Sequence, residues 1–196
     1  MIRATRKPAR NVRRLQSKQN VSVRIAVTGQ PGCGKTTLVR RVVKRLGSAR
    51  RVGGIYTEEI RRGVARSGFA IVDIGTGARA TLASVGGSAG PAVGKYRVSL
   101  EGIAKVAVPA IEAAAVAADI VVVDEIAPME CASPAFVAAV ERLLDGTKPL
   151  LFAIHGKVRG LVLDRLRGEF QIVNVTPANR DDLVATIADQ LLGDRP

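Results

Sequence analysis

The stretch Gly29-Gln30-Pro31-Gly32-Cys33-Gly34-Lys35-Thr36 decides how this 196-residue chain is expected to fold. It fits the pattern of a glycine, four residues, a second glycine, a lysine and then a serine or threonine, which is typical of phosphate-binding loops. Alternating apolar residues over 21–27 predict a strand that enters the loop, and residues 35–47 predict a helix that leaves it. Strand, loop and helix therefore occur in the order that a phosphate-binding loop requires.

The residue types of this loop predict its chemistry. Glycines let the backbone curl so that successive amide groups point at phosphate oxygens, and the following helix adds the positive end of its dipole. Lys35 is expected to reach the β- and γ-phosphates of a nucleoside triphosphate, and the Thr36 hydroxyl is expected to bind Mg²⁺. A glycine-rich turn that binds nothing is the alternative, and it does not account for the agreement of strand, loop and helix. The predicted nucleotide contacts here are Gly29, Gln30, Pro31, Gly32, Cys33, Gly34, Lys35, Thr36 and Thr37.

Composition favours one domain with its own core. Apolar residues make up 47% of the chain, which suits a buried sheet covered by helices, while aromatic residues are only 3% and argue against a row of rings stacking on bases. The two cysteines, Cys33 and Cys131, form neither a disulfide framework nor a metal-ligand pattern, so a reducing, cytoplasmic location is expected. No run of 18 apolar residues exists, and no membrane span is predicted.

Positive charge is concentrated at the start of the chain. The net charge is +13, and residues 1–20 contain no acid but the basic residues Arg3, Arg6, Lys7, Arg10, Arg13, Arg14 and Lys18. This segment lacks apolar periodicity and is predicted to be a disordered tail that precedes a single domain at 21–196. It could bind nucleic acid or an anionic surface through phosphate contacts, serve as a targeting segment, or be a solvated extension with no role.

The patterns on either side of the loop predict the fold class. Segments predicted as strands are 21–28, 53–60, 69–74, 79–83, 120–123, 150–154 and 170–175, with 93–98 as a further extended segment. Segments predicted as helices are 35–47, 99–118, 134–145, 158–167 and 180–192, with Ser133 as the N-cap of the third. The order predicts an α/β fold with a three-layer, mainly parallel sheet and a small antiparallel insertion around 68–84.

A second motif completes the predicted site. The apolar strand at 120–123 is followed by Asp124 and Glu125, which is the form of a Walker B strand. Ligands collect at the carboxyl ends of parallel strands, so Asp124 is expected to hold Mg²⁺ together with Thr36, and Glu125 to orient and deprotonate water. Lys35 and Glu125 are the predicted catalytic residues. Alone, an apolar strand that ends in two acids is a weak signal, and it gains weight from the loop at 29–36.

Other polar residues are expected at the same edge of the sheet without a decisive pattern. They are Glu58 and Glu59 for metal or water placement, His155 for contact with the γ-phosphate, Lys95, Arg159 and Arg165 for neutralising transition-state charge, and Asn179 with Arg180 for contact with the base or ribose. Each has a plain alternative, because solvated strand ends and helix-starting turns use the same residue types.

The ordered series of motifs resembles the THEP1 family of nucleoside-triphosphatases over about residues 23–190. The segments that carry the resemblance are 28–38, 54–59, 68–69, 93–98, 108–111, 123–130 and 176–181. The chain departs from the family pattern at Arg97 and Ala127, where the family usually has glycine. The tail at residues 1–20 lies outside the pattern.

The resemblance implies an activity and a fold. It implies slow hydrolysis of ATP, GTP and other nucleoside triphosphates to the diphosphate with Mg²⁺, on a RecA-like P-loop NTPase sheet that has an extra strand between the Walker A and Walker B strands. It also implies a second set of nucleotide contacts, which comprises Ile120, Val121, Val122, Val123, Asp124, Glu125, Ile126 and Ala127.

Two other functions stay open at this stage. A small-molecule or nucleotide kinase uses the same loop, although a water-activating Glu125 would waste its phosphate donor. A nucleotide-regulated RNA-binding protein would use the basic tail. Guanine specificity is not expected, because Thr147-Lys148 is followed by Pro149-Leu150 and no guanine-reading motif is present.

Overall fold

The computed structural model describes residues 22–87, 89–155 and 160–193. Nine strands occur in this part of the chain: β1 (Arg24–Thr28), β2 (Val52–Arg62), β3 (Ala65–Asp73), β4 (Arg79–Val85), β5 (Ala92–Val93), β6 (Tyr96–Val98), β7 (Ile120–Ile126), β8 (Leu150–Ile154) and β9 (Gln171–Asn174). The α-helices are α1 (Lys35–Leu46), α2 (Leu100–Gly102), α3 (Val108–Ala117), α4 (Pro134–Asp145), α5 (Leu161–Glu169) and α6 (Arg180–Leu192). A π-helical segment, Ile103–Ala107, joins α2 to α3, and a 3₁₀ turn, Glu130–Ala132, precedes α4.

All nine strands form a single mixed sheet in the order β5-β6-β4-β3-β2-β7-β8-β1-β9. The half that runs from β2 to β9 is parallel. Its central strands β7 and β8 are buried along nearly their whole length, which explains why their sequences are continuous apolar runs. Strand β8 lies between β1, which enters the phosphate loop, and β7, which carries the two acids. The expected extra strand is therefore present.

The other half of the sheet is antiparallel and larger than the insertion predicted around 68–84. It is formed by the outer part of β2 and by β3 to β6. The sequence Arg61-Arg62-Gly63 predicts a turn, but β2 continues through Arg62 and the chain reverses only at Gly63, where φ is +60°. With parallel and antiparallel pairings equal in number, the sheet is mixed rather than mainly parallel.

Helices cover both faces of the sheet, as the three-layer prediction requires. On one face, α1 and α6 pack Leu38, Val42 and Ile187 into one hydrophobic cluster. On the other face, α3, α4 and α5 contribute to a second cluster that includes Phe136. Alternate residues of β7 belong to opposite clusters, because successive side chains of a strand point to opposite faces.

Local signals account for the best-predicted helices. The Ser133 hydroxyl accepts a hydrogen bond from the Phe136 amide at 3.3 Å, and Pro134 occupies the first helical position, so α4 begins where the sequence predicts. The helix predicted over 158–167 is observed at Leu161–Glu169, and Arg159 lies outside the described residues. None of the helices in the described chain has the length and apolar character needed to cross a membrane.

Candidate active site

The phosphate loop is packed tightly against the connection between β9 and α6. A Cβ atom on Gly29 would lie 2.5 Å from the Val175 carbonyl oxygen, and one on Gly34 would lie 2.6 Å from Cδ of Arg180. Gly34 also has φ of +100°, in the left-handed region that favours glycine. A side chain at Gly29 would meet backbone, and one at Gly34 would force Arg180 to shift, so glycine at both positions leaves the loop backbone as the surface available to a phosphate.

Lys35 connects the loop to the second motif. Its Nζ lies 3.5 Å from the Gly29 carbonyl oxygen and 3.5 Å from Oε1 of Glu125. The Lys35 side chain is only 10% exposed, whereas that of Glu125 is 24% exposed and reaches the open site. The structure therefore brings the predicted lysine and the predicted acid together at one point.

Asp124 lies next to this pair, fully buried at the end of β7. Neither of its carboxylate oxygens has a hydrogen-bond partner within the described structure. Burial raises the pKa of Asp124 to about 7. The Thr36 hydroxyl and the charges of Lys35 and Arg40 act in the opposite direction and lower it. Thr36 is thus close enough to act on the carboxylate without forming a hydrogen bond that satisfies either oxygen. Two unsatisfied oxygens beside a hydroxyl fit a cation that both residues would bind.

Glu130 is a third acid near this site, and sequence reasoning gave it no role. It is 3% exposed, and within the described structure its Oε2 has no hydrogen-bond partner. Burial raises its pKa well above the ordinary value, and the charges of Glu125 and Asp124 raise it further. The neutral carboxyl is therefore favoured. No apolar periodicity in the sequence predicts that Glu130 is buried, because Glu130 begins a short 3₁₀ turn between β7 and α4.

Two pockets flank the loop. The first, which we call the acid-side pocket, has a volume of about 670 Å³ and contains Glu125. Besides loop residues and Glu125, it is lined by Thr37, Arg40, Thr57, Glu58, Glu59, Arg66, Phe69 and His155. The second, which we call the β9-side pocket, has a volume of about 590 Å³ and lies between the loop and residues 174–177. His155, at the end of β8, lines both pockets, so it stands where contact with a bound phosphate is feasible.

Glu58 and Glu59 line the acid-side pocket, but arginines already hold both of them. Glu58 binds Arg40 and Arg79, and Glu59 binds Arg61 and Arg66. Burial raises the pKa of each glutamate, but the arginine hydrogen bonds and charges outweigh it, so both pKa values lie below the ordinary value. These ion pairs make metal binding a poor description of the two residues.

Of the candidate cations named from the sequence, Lys95 and Arg165 line neither pocket, and Arg159 lies outside the described residues. Lys95 lies over the Tyr96 ring, with Nζ 5.5 Å from its centroid. Arg165 pairs with Asp145 and Glu169. The described arginines that do line the acid-side pocket, Arg40 and Arg66, were not singled out because charge alone does not distinguish them among 30 basic residues.

Asn179 and Arg180 organise the loop after β9. The Asn179 side chain accepts a hydrogen bond from the Thr176 amide at 2.8 Å and donates one to the Asn174 carbonyl at 3.0 Å. Arg180 packs over Gly34 of the phosphate loop. Both residues therefore support the walls of the site, and neither lines the β9-side pocket itself.

In the structure, most residues of the predicted contact range from Ile120 to Ala127 line neither pocket. The side chains of Ile120, Val121, Val122, Val123 and Ile126 are buried in the hydrophobic core, and Ala127 lines neither pocket. Strand β7 is hydrogen-bonded on both sides, so these residues hold Asp124 and Glu125 in place. Glu125 is the member of this range that lines the acid-side pocket.

Comparison with known proteins gives the family. A family model described as NTPase matches residues 24–188. The nucleoside-triphosphatase THEP1 of Methanosarcina acetivorans is 42% identical over 172 residues, which cover 87% of this chain and 97% of that relative. The corresponding protein of Pyrococcus abyssi is 44% identical over 168 residues, covering 84% and 90%. The chain belongs to the THEP1 family of nucleoside-triphosphatases.

Two solved structures agree with this assignment. The crystal structure of THEP1 from Aquifex aeolicus has a TM-score of 0.77 at 32% identity, covering 85% of this chain and 98% of that one. The solution structure of a human cancer-related nucleoside triphosphatase has a TM-score of 0.74 at 31% identity, covering 89% and 100%. This THEP1-family chain is therefore a P-loop enzyme that hydrolyses nucleoside triphosphates. Residues 1–20 lie outside both the described structure and the family match.

Proposed function

We propose that the enzyme hydrolyses ATP, GTP and other nucleoside triphosphates to the diphosphate and phosphate, with Mg²⁺ as cofactor. One observation carries this proposal: Glu125 of β7 lies 3.5 Å from Lys35 of the phosphate loop, in a pocket lined by that loop. A carboxylate in this position is within reach of a water molecule beside the terminal phosphate. Hydrolysis needs such a group to orient and deprotonate water.

Phosphate binding is assigned to the loop and Lys35. The backbone amides of 29–36 and the start of α1 favour anions, and Lys35 adds a full positive charge. Nζ of Lys35 makes two long contacts, with the Gly29 carbonyl oxygen and with Glu125. We infer that a bound β- or γ-phosphate competes for this ammonium group, which frees Glu125 to accept a proton.

Thr36 and Asp124 are the residues that would hold Mg²⁺. The two unsatisfied oxygens of Asp124, buried near the Thr36 hydroxyl, support this assignment. Within the described residues, no cluster of three or more His, Cys, Asp or Glu side chains could bind a metal ion. This agrees with Mg²⁺ chemistry, since the ion commonly keeps several waters and takes only one or two protein ligands beside substrate phosphates. When bound, Mg²⁺ supplies positive charge that stabilises the departing diphosphate.

The proposed reaction is an in-line displacement by water. The water oxygen forms a bond to the γ-phosphorus while the bond from that phosphorus to the β–γ bridging oxygen breaks. Glu125 takes the proton from the water, and the diphosphate leaves with the electron pair of the broken bond. We assign to His155 contact with the terminal phosphate, since it lines the pocket on the same side as Glu125.

Broad nucleotide choice is proposed from the β9-side pocket. We assign the base and ribose to this pocket, which is lined by loop residues, by Thr28 and His155, and by residues 174–177. Within the described structure, no Asp or Glu side chain lines it. A pocket without an acid to read guanine supports acceptance of several bases.

The test is to incubate the protein with each of ATP, GTP, CTP and UTP plus Mg²⁺ and to measure phosphate release. Release from several nucleotides, abolished by Lys35→Ala and by removal of the metal, is the expected result. No release above the Lys35→Ala background would reject the proposal. Transfer of labelled γ-phosphate to an added acceptor instead of water would favour the alternative hypothesis that the protein is a kinase. The basic tail carries no part of this proposal.

A further inference from the structure

The outer part of the β2–β3 hairpin overhangs the site. Strand β2 pairs with β7 only as far as Tyr56, which lies opposite Asp124, and then continues to Arg62. Six further residues correspond to about 20 Å of extended chain beyond the level of the acid. We call residues 57–69 the hairpin arm. Its residues Thr57, Glu58, Glu59, Arg66 and Phe69 line the acid-side pocket.

Within the arm, Glu59 is shared by two arginines that lie opposite each other across the hairpin. Arg61 and Arg66 are paired in the β2–β3 register. Arg61 reaches Oε2 of Glu59 at 2.5 Å, and Arg66 contacts Oε1. Arg66 also lies over the Phe69 ring, at 5.4 Å from its centroid. Only one of the two arginines, Arg66, lines the acid-side pocket together with Lys35 and Glu125.

Phosphate transfer to water develops negative charge on the terminal phosphate, and enzymes of this class place cations there. Among the described residues, the lysine and arginine side chains that line the acid-side pocket are Lys35, Arg40 and Arg66. The Arg40 guanidinium is held on the Tyr56 ring at 4.3 Å and hydrogen-bonded to Glu58 at 2.6 Å, and its charge lowers the pKa of Asp124. Arg40, which lies one helical turn after Thr36, therefore helps to stabilise the buried Asp124.

Arg66 differs because it comes from the arm rather than from α1. Its side chain is 43% exposed, and that of Glu59 is 35% exposed. Exposed ion pairs contribute little to stability, so Arg66 can exchange one anionic partner for another without disrupting the hairpin. A guanidinium also binds phosphate oxygens with two parallel hydrogen bonds, which a lysine does not.

We propose that Arg66 binds the terminal phosphate of the bound triphosphate and stabilises its charge during hydrolysis, and that Glu59 is its partner when the site is empty of nucleotide. This inference rests on the proposed function, since it assumes that the γ-phosphate lies on the Glu125 side of the loop. It predicts that Arg66 distinguishes a triphosphate from a diphosphate.

Arg61 provides a matched control because it binds the same carboxylate but does not line the pocket. The first measurement is the Kd of ATP with a non-hydrolysable β–γ linkage, and of ADP, with Mg²⁺ present. Arg66→Ala is expected to weaken binding of the triphosphate by about tenfold and to leave ADP within about twofold. Arg61→Ala is expected to change neither by more than about twofold. Equal losses for both nucleotides, or equal effects of the two variants, would overturn the proposal.

The second measurement is steady-state hydrolysis. Arg66→Ala is expected to lower kcat by about 100-fold or more, and Arg66→Lys to recover part of that loss, while Arg61→Ala stays within about twofold. An Arg66→Ala variant with unchanged kcat would reject the role in hydrolysis. If Arg66→Ala does not fold, the same comparison is made with Arg66→Lys, whose triphosphate affinity must still fall relative to ADP. Because binding is measured without turnover, absence of hydrolysis by the unmodified enzyme would reject the proposed function without obscuring this result.

Discussion

Nζ of Lys35 lies 3.5 Å from Oε1 of Glu125, although the two residues belong to different elements far apart in the chain. Lys35 begins α1 after the phosphate loop. Glu125 is the penultimate residue of the buried strand β7, which lies two strands from β1 in the sheet. This contact connects the lysine that we propose binds phosphate to the carboxylate that we propose orients water. The predictions below separate what each contributes.

Lys35→Ala should abolish tight triphosphate binding and lower hydrolysis by about 100-fold or more, because the loop loses its only full positive charge. Titration calorimetry with a non-hydrolysable triphosphate and a phosphate-release assay measure the two effects. Lys44→Ala is the control, since Lys44 lies exposed in the last turn of the same helix. A similar loss in both variants would mean that general charge, rather than the position of Lys35, controls binding.

Glu125→Gln should lower kcat by about 100-fold to 10,000-fold while the triphosphate Kd changes little, since a proton acceptor is lost and shape is retained. Glu141→Gln is the control, because Glu141 lies exposed on α4. Single-turnover measurements of phosphate release isolate the chemical step. A Glu125→Gln enzyme that retains normal kcat would assign water activation to another residue.

The pKa of Asp124 predicts a pH dependence of stability in the absence of nucleotide and metal. Burial raises this pKa from 3.8 to about 7, so between about pH 4 and pH 7 the folded state binds more protons than the unfolded state. The free energy of unfolding therefore falls as pH rises through this window, by a few kcal/mol at most for this group. Asp124→Asn removes the cost of the buried charge, and its stability should exceed that of the unmodified protein at pH 8.

Urea unfolding at pH 5 and pH 8 measures this effect. The stability difference between Asp124→Asn and the unmodified protein should be larger at pH 8 than at pH 5, whereas exposed Asp182→Asn should show no such change. The Asp124→Asn variant should also lose Mg²⁺-dependent hydrolysis. Equal differences at the two pH values would show that the Asp124 carboxylate is not destabilised by burial.

Gly34→Ala should destabilise the fold and weaken nucleotide binding more than Gly32→Ala. Both glycines have positive φ, at +100° and +79°, so alanine carries backbone strain of about 1 kcal/mol or more at either site. Only at Gly34 would the added Cβ also meet Arg180, at 2.6 Å from Cδ, while Gly32 has nothing within 4 Å. Urea unfolding gives the comparison. Adding Arg180→Ala should recover part of the Gly34→Ala loss, and no recovery would contradict the proposed clash.

Local chemistry made several elements predictable. The start of α4 follows from Ser133 and Pro134, and β8 coincides with an unbroken apolar run between Pro149 and His155. The size of the antiparallel half was not predictable in the same way. Arg61 and Arg62 look like turn residues because they are charged and precede Gly63, yet pairing with β3 keeps them in strand β2. Neighbouring strands, which a local pattern does not contain, decided the outcome.

The sequence by itself determined that this protein has a phosphate loop between a strand and a helix, and a buried strand ending in two acids, because those features depend on residue type and short spacing. Only the tertiary structure decided which acids and cations meet. Asp124 and Glu130 lose their solvation because other elements cover them, and Glu59 of β2 meets Arg66 of β3 because the two strands lie side by side. Burial and long-range pairing set the charge state and the partner of an ionisable group, and neither is written in its local sequence.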